Sequence, residues 1–72
     1  GGVIPRRYKE LMALAVAVSA QCPYSIEVHR ANAVSAGCTD GEIAEAVFVA
    51  ATMRATAAIA HGTHALGPPA KK

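Results

Sequence analysis

Seventy-two residues allow one domain at most, and a chain this short seldom buries enough core to be comfortably stable alone. Its residues are 53% hydrophobic, its mean hydropathy is +0.29, and its net charge of +2 is too mild and scattered for the dense basic stripe that nucleic-acid binding needs. Two cysteines in a loop-poor chain argue against a secreted disulfide scaffold and for a reducing cytoplasm.

The chain opens Gly1-Gly2 instead of Met, which leaves room for a trimmed N-terminus, and nothing in it resembles a signal peptide. After Pro5, the segment Arg6 to Ala20 is charged for one turn and then apolar on every side from Leu11 to Val18. Its length and all-round apolarity predict a helix enclosed by neighbours. The uninterrupted run is far below the roughly 18 residues of a membrane span, so no membrane association is expected. Ser19-Ala20-Gln21 links it to a second helix, opened by Cys22-Pro23 and closed at Gly37, a residue suited to the left-handed position past a helix end. Thr39-Asp40-Gly41-Glu42 is a capping-box pattern, with acids where the helix dipole favours them. From Asp40 a third helix is expected to run to about Leu66, with Ile43, Ala46, Val47, Ala50, Ala51, Arg54, Ala57, Ala58 and His61 tracing one face, until Gly67-Pro68-Pro69 stops it. No strand pattern or repeat occurs. The expectation is a single all-α domain over residues 1–72, a three-helix unit. That much apolar surface on so small a body predicts a homo-oligomer, joined through the third helix and the first.

Most of the reactive side chains fall in or beside Cys22 to His29. Pro23 suits the first helical position because its missing N–H is an orphan there, which places Cys22 at the N-cap. The helix dipole and unpaired amides at that point favour thiolate and lower a cysteine's pKa. Cys22, Ser25 and His29 are spaced i, i+3 and i+7, on one helix face, so a thiol, a hydroxyl and an imidazole share one patch. No glycine-rich elbow surrounds Ser25, which argues against a serine hydrolase. Glu10 by itself reads as a first-turn surface acid, yet a hairpin between the first two helices can bring it to this patch, where a carboxylate orients an imidazole. Cys38, in a turn without polar neighbours, reads as a structural thiol. His61 and His64 at i, i+3 do not complete a metal site by themselves, so no metal is assigned. Arg54, set among alanines, predicts a buried carboxylate partner.

These residues resemble a known family. Cys22-Pro23-Tyr24-Ser25 followed by His29, then Asn32-Ala33, Ala36-Gly37, Thr39 to Ala46 and His61-Gly62, is similar to the core of the AhpD-like alkylhydroperoxidases in the carboxymuconolactone decarboxylase superfamily. The resemblance covers about Glu10 to Gly62 and implies an all-helical fold that assembles as trimers or hexamers. In that family the motif is CxxC, with a histidine four residues after the second cysteine and a glutamate twelve residues before the first. Carried onto this chain, the resemblance makes Glu10 and His29 a proton relay, has Tyr24 and His61 line the substrate pocket, and makes Cys22 the resolving thiol. The peroxide-attacking cysteine falls on Ser25. A hydroxyl is a poor nucleophile at neutral pH and forms neither a sulfenate nor a disulfide. Two origins for Ser25 stay open, a replacement introduced to block oxidation or a native serine.

The resemblance implies a thiol-dependent peroxidase-type oxidoreductase, impaired at Ser25, that needs no cofactor. Its partners would be a hydroperoxide and an external thiol or dithiol reductant. Two alternatives remain: a protein that binds a metal, metalloid or small ligand, and a decarboxylase-like acid/base enzyme that uses Glu10 and His29 without a thiol.

Overall fold

A computed structural model describes residues 2–67. Three helices follow in order, α1 (Arg6–Ser19), α2 (Pro23–Ser35) and α3 (Asp40–Gly62), and no strand occurs among the described residues. The all-helical expectation therefore holds. Pro68 and Pro69, expected to stop the third helix, lie outside the described residues.

α1 is the shared element, packing against both α2 and α3. Leu14, at 2% exposure, is the one large side chain fully buried among the described residues, and Ala17, Ala33, Cys38 and Ala50 are buried with it. Small residues at these positions let the helix axes approach closely, which suits a core that has so few side chains to fill it. Two neighbours do not surround a helix, however. Met12 and Val16 on α1 stay exposed, Val16 by 68%, so the apolar flank expected to be enclosed is open in the single chain.

The corners explain why the chain turns where it does. Past α2, the Gly37 N–H donates to Val34 O at 3.0 Å and the Cys38 N–H to Ala33 O at 2.9 Å, with Gly37 at φ 95°. This is a Schellman closure on the glycine that the sequence marked. Past α1 the same pattern recurs without glycine: Gln21 N–H donates to Val18 O and Cys22 N–H to Ala17 O, with Gln21 at φ 58°. A side chain in the left-handed region costs about 1–2 kcal/mol, so the packing of α1 on α2 must hold it there.

α3 opens on the expected capping box. Glu42 N–H donates to Thr39 Oγ1 at 3.1 Å, and Thr39 N–H to Glu42 Oε1 at 2.8 Å. The structure adds a partner that sequence reasoning missed, since Arg7 Nη2 donates to both Glu42 oxygens, at 2.8 and 2.6 Å, and ties the start of α1 to the start of α3. The Thr39 amide first, and then Arg7, hold the Glu42 carboxyl below its ordinary value. A lowered folded pKa contributes stability that is fully present above the unfolded value, roughly pH 4.3, and is lost as pH falls through the folded one. Glu42→Gln is therefore expected to flatten the acid limb of stability, measured as melting temperature against pH between about 5 and 2.

α3 ends at Gly62, short of the expected Leu66. Thr63 Oγ1 donates to Ala60 O at 2.7 Å, and the His64, Ala65 and Leu66 amides reach back three residues, so the helix gives way to tight turns after its glycine. Only its first half packs on α1. Ile43 and Ala46 are half-buried and Ala50 is buried, whereas Ala51, Ala57, Ala58 and His61 on the same expected face are exposed because α3 runs on past the hairpin. Arg54 corrects another expectation, because among the described residues it has no carboxylate partner. Its Nη1 donates to the Ser19 carbonyl at 3.0 Å, on the last turn of α1, where an unpaired helix carbonyl attracts a cation. By length and composition, though interrupted by charges, Asp40–Gly62 is apolar enough to cross a membrane, a property that the longest unbroken apolar run does not reveal.

Candidate functional site

The hairpin of α1 and α2 brings four of the six candidate residues together. Cys22 is the N-cap of α2, with Pro23 at the first helical position and the backbone extended at φ −106°, ψ 97°. Its Sγ lies 3.2 Å from Ser25 Oγ. The neutral thiol donates there, and the thiolate would accept the hydroxyl proton instead. One turn further on, His29 Nδ1 sits 3.1 Å from Glu10 Oε1, a contact across the hairpin from α2 to α1. Arg6 Nε lies 4.0 Å from the other Glu10 oxygen, a long contact from an exposed side chain that adds little.

Cys22, Ser25 and His29 line one open groove of about 490 Å³, whose other wall is apolar: Met12, Ala13, Val16 and Ala17 of α1, with Ala20 just past its end. The Ser25 hydroxyl first, then the Ser25 and Tyr24 amides at the start of α2, pull the Cys22 thiol below its ordinary value against the opposing effect of burial. The groove thus offers a thiol biased toward thiolate, a hydroxyl bonded to it, and an imidazole oriented by a carboxylate, beside a surface suited to an aliphatic group. Ser25→Ala is expected to raise the Cys22 pKa, because it removes the first of these causes, as read from thiolate absorbance or alkylation rate against pH.

Tyr24 and His61 are not brought to this groove in the single chain. Tyr24, 77% exposed, stands on the outer side of the first turn of α2. His61 lies at the far end of α3, beyond the hairpin, with its ring centroid 5.9 Å from that of His64. Among the described residues, no group of three or more His, Cys, Asp or Glu side chains is placed to hold a metal ion. Cys38 is buried, its Sγ donating to the Arg7 carbonyl at 3.4 Å. That leaves Cys22 as the thiol the groove presents.

The profile of the carboxymuconolactone decarboxylase family matches residues 1–67. The chain belongs to that family. It is also 49% identical over 65 residues to a curated protein of Paracoccus denitrificans described as "Uncharacterized protein 4 in cox locus". That alignment takes in 90% of this chain and 59% of the relative, so the chain spans about three-fifths of the relative's length. No solved structure matches the chain. For a carboxymuconolactone decarboxylase family member, the hairpin supplies both an acid/base pair, Glu10–His29, and a thiol, Cys22. The thiol and the imidazole of that pair line one groove, with Glu10 behind the imidazole.

Proposed function

We propose that this chain is a thiol-dependent peroxidase-type oxidoreductase in which Cys22 is the reacting sulfur and Ser25 makes turnover slow. The observation that carries the reading is the convergence on one groove of Cys22, bonded to Ser25, with His29, oriented by Glu10. Because the chain spans only part of its relative, the reading concerns this site.

The aliphatic part of a hydroperoxide lies along Met12 and Val16, and its peroxide group reaches Cys22. The thiolate attacks the terminal oxygen, the O–O bond breaks, a sulfenic acid forms on Cys22, and the alkoxide takes a proton from the His29–Glu10 pair and leaves as an alcohol. An external thiol then attacks the sulfenic sulfur and releases water. A second thiol resolves the mixed disulfide and returns Cys22 to its starting state. Ser25 steadies the thiolate but cannot close an internal disulfide, so both reducing equivalents come from outside. We place the chain in a reducing cytoplasm as a homo-oligomer, a reading supported by its two free thiols and its uncovered apolar surface. Arg54, fixed to Ser19 midway along α3, favours cover by protein over burial in lipid.

The test is consumption of an alkyl hydroperoxide with added thiol, by the chain and by Cys22→Ala. Turnover lost in Cys22→Ala, with a dimedone adduct on Cys22 in the parent, is the expected result. Activity that survives Cys22→Ala would favour the second reading, acid/base chemistry by Glu10 and His29, which gains support from that pair being complete without a thiol.

A further inference from the structure

Glu45, Phe48, Thr52, Thr56, Ile59 and Thr63 follow one another at helical spacing along a face of α3 that neither α1 nor α2 covers; Phe48 is 70% and Ile59 71% exposed. A shallow groove of about 330 Å³ runs along this face from Glu45 to Met53, lined by α3 alone. Through Val49 and Met53 it joins a second groove of about 340 Å³ between α3 and α1, which takes in Met12 and Val16. Those two residues also rim the Cys22 groove. One apolar surface therefore reaches from the outer face of α3 to the thiol.

The face is complementary to itself in one orientation only. Its N-terminal half is bulky, with Phe48, Val49 and Met53, whereas Ile59 is the sole large side chain among the threonines and alanines of its C-terminal half. Glu45 is its only charge. A parallel pair in register would set Phe48 on Phe48 and Glu45 beside Glu45. An antiparallel pair lays the bulky half on the small half and sends the two carboxylates to opposite ends, the self-matching that a two-fold contact requires. From Glu45 to Thr63 the face is about 27 Å long, and α1's Met12 and Val16 widen it toward the roughly 800 Å² per partner of a stable interface.

We propose that this face is a two-fold interface, with α3 of one copy antiparallel to α3 of a second and Met12 and Val16 at its edge, so that the partner walls the open side of the Cys22 groove. The proposal sharpens the self-association reading above and can fail without it. Light scattering on the full chain at micromolar concentration is expected to give an even-numbered assembly. Phe48→Glu, which sets a charge twice in a symmetric contact, should weaken it about 100-fold or more, while Arg30→Glu on α2 leaves it unchanged. Because Phe48 is exposed, helicity by circular dichroism should not move. On a Cys22→Ser background, Thr52→Cys combined with Thr56→Cys should give a disulfide-linked dimer, and Cys22 of the Phe48→Glu chain should be alkylated faster than that of the parent. A monomeric parent, in buffer or on lipid vesicles, would overturn both self-association and this interface. An assembly that Phe48→Glu leaves intact would overturn the interface alone.

Discussion

Placing a thiol at residue 25, by Ser25→Cys, is expected to raise hydroperoxide turnover with a dithiol donor by on the order of 100-fold or more over the parent chain. The side chain at this position lies 3.2 Å from Cys22 Sγ and lines the groove with His29, which Glu10 orients from across the hairpin. A cysteine there gains what serine lacks: a reactive anion near neutral pH, a base at hand, and a second sulfur one turn away to close a disulfide. The kinetic signature should change with the rate. On the proposed mechanism the parent would depend on external thiol at two steps, whereas the Ser25→Cys chain would form its own disulfide and need a reductant only to open it. Adding Glu10→Gln should remove much of the gain by loosening the imidazole. A Ser25→Cys chain no faster than its Cys22→Ala derivative would remove the peroxidase reading.

Leu14→Ala is expected to abolish cooperative thermal unfolding near room temperature. Leu14 is the only large side chain fully buried among the described residues, and truncating such a residue costs about 2–5 kcal/mol. A single core of this size rarely supplies more than about 3–5 kcal/mol, so the loss is comparable with the whole. Thermal melts followed by circular dichroism read it directly. A sharp transition retained within a few degrees of the parent would mean that stability lies elsewhere, above all in contacts between copies, and repeating the melt at several concentrations separates the two cases.

The helices were legible in the sequence because their ends carry chemistry: Cys22-Pro23 opens α2, Gly37 closes it, and Thr39 with Glu42 starts α3. The site was legible for the same reason. Spacing along α2 aligns Cys22, Ser25 and His29, and a short link between two helices folds Glu10 back toward them. What the sequence could not give was relative reach. His61 and Tyr24 fit a motif, yet α3 overshoots the hairpin and Tyr24 turns outward, facts set by packing and not by local pattern. Arg54 misled because a guanidinium among alanines suggests a carboxylate, whereas the bare carbonyl at the end of α1 meets the same need. The Arg7–Glu42 tie spans 35 positions, and its only signal was an arginine early in α1 with no acid in that helix's first turn.

Gln21 holds the left-handed corner before the thiol, the next amide is bonded back to Ala17, and the proline ring follows at once. Three main-chain restraints thus bracket Cys22 and fix the direction of its Cα–Cβ bond, leaving the sulfur only its own side-chain rotamers. On the peroxidase reading proposed above, a sulfur on so fixed a backbone travels little, and the reductant would have to come to it. Small free thiols, or a thiol carried on an extended tail, would then be favoured over one recessed in a rigid surface. Choice among electron donors would become a matter of reach, settled by the shape of the approach before any affinity is expressed.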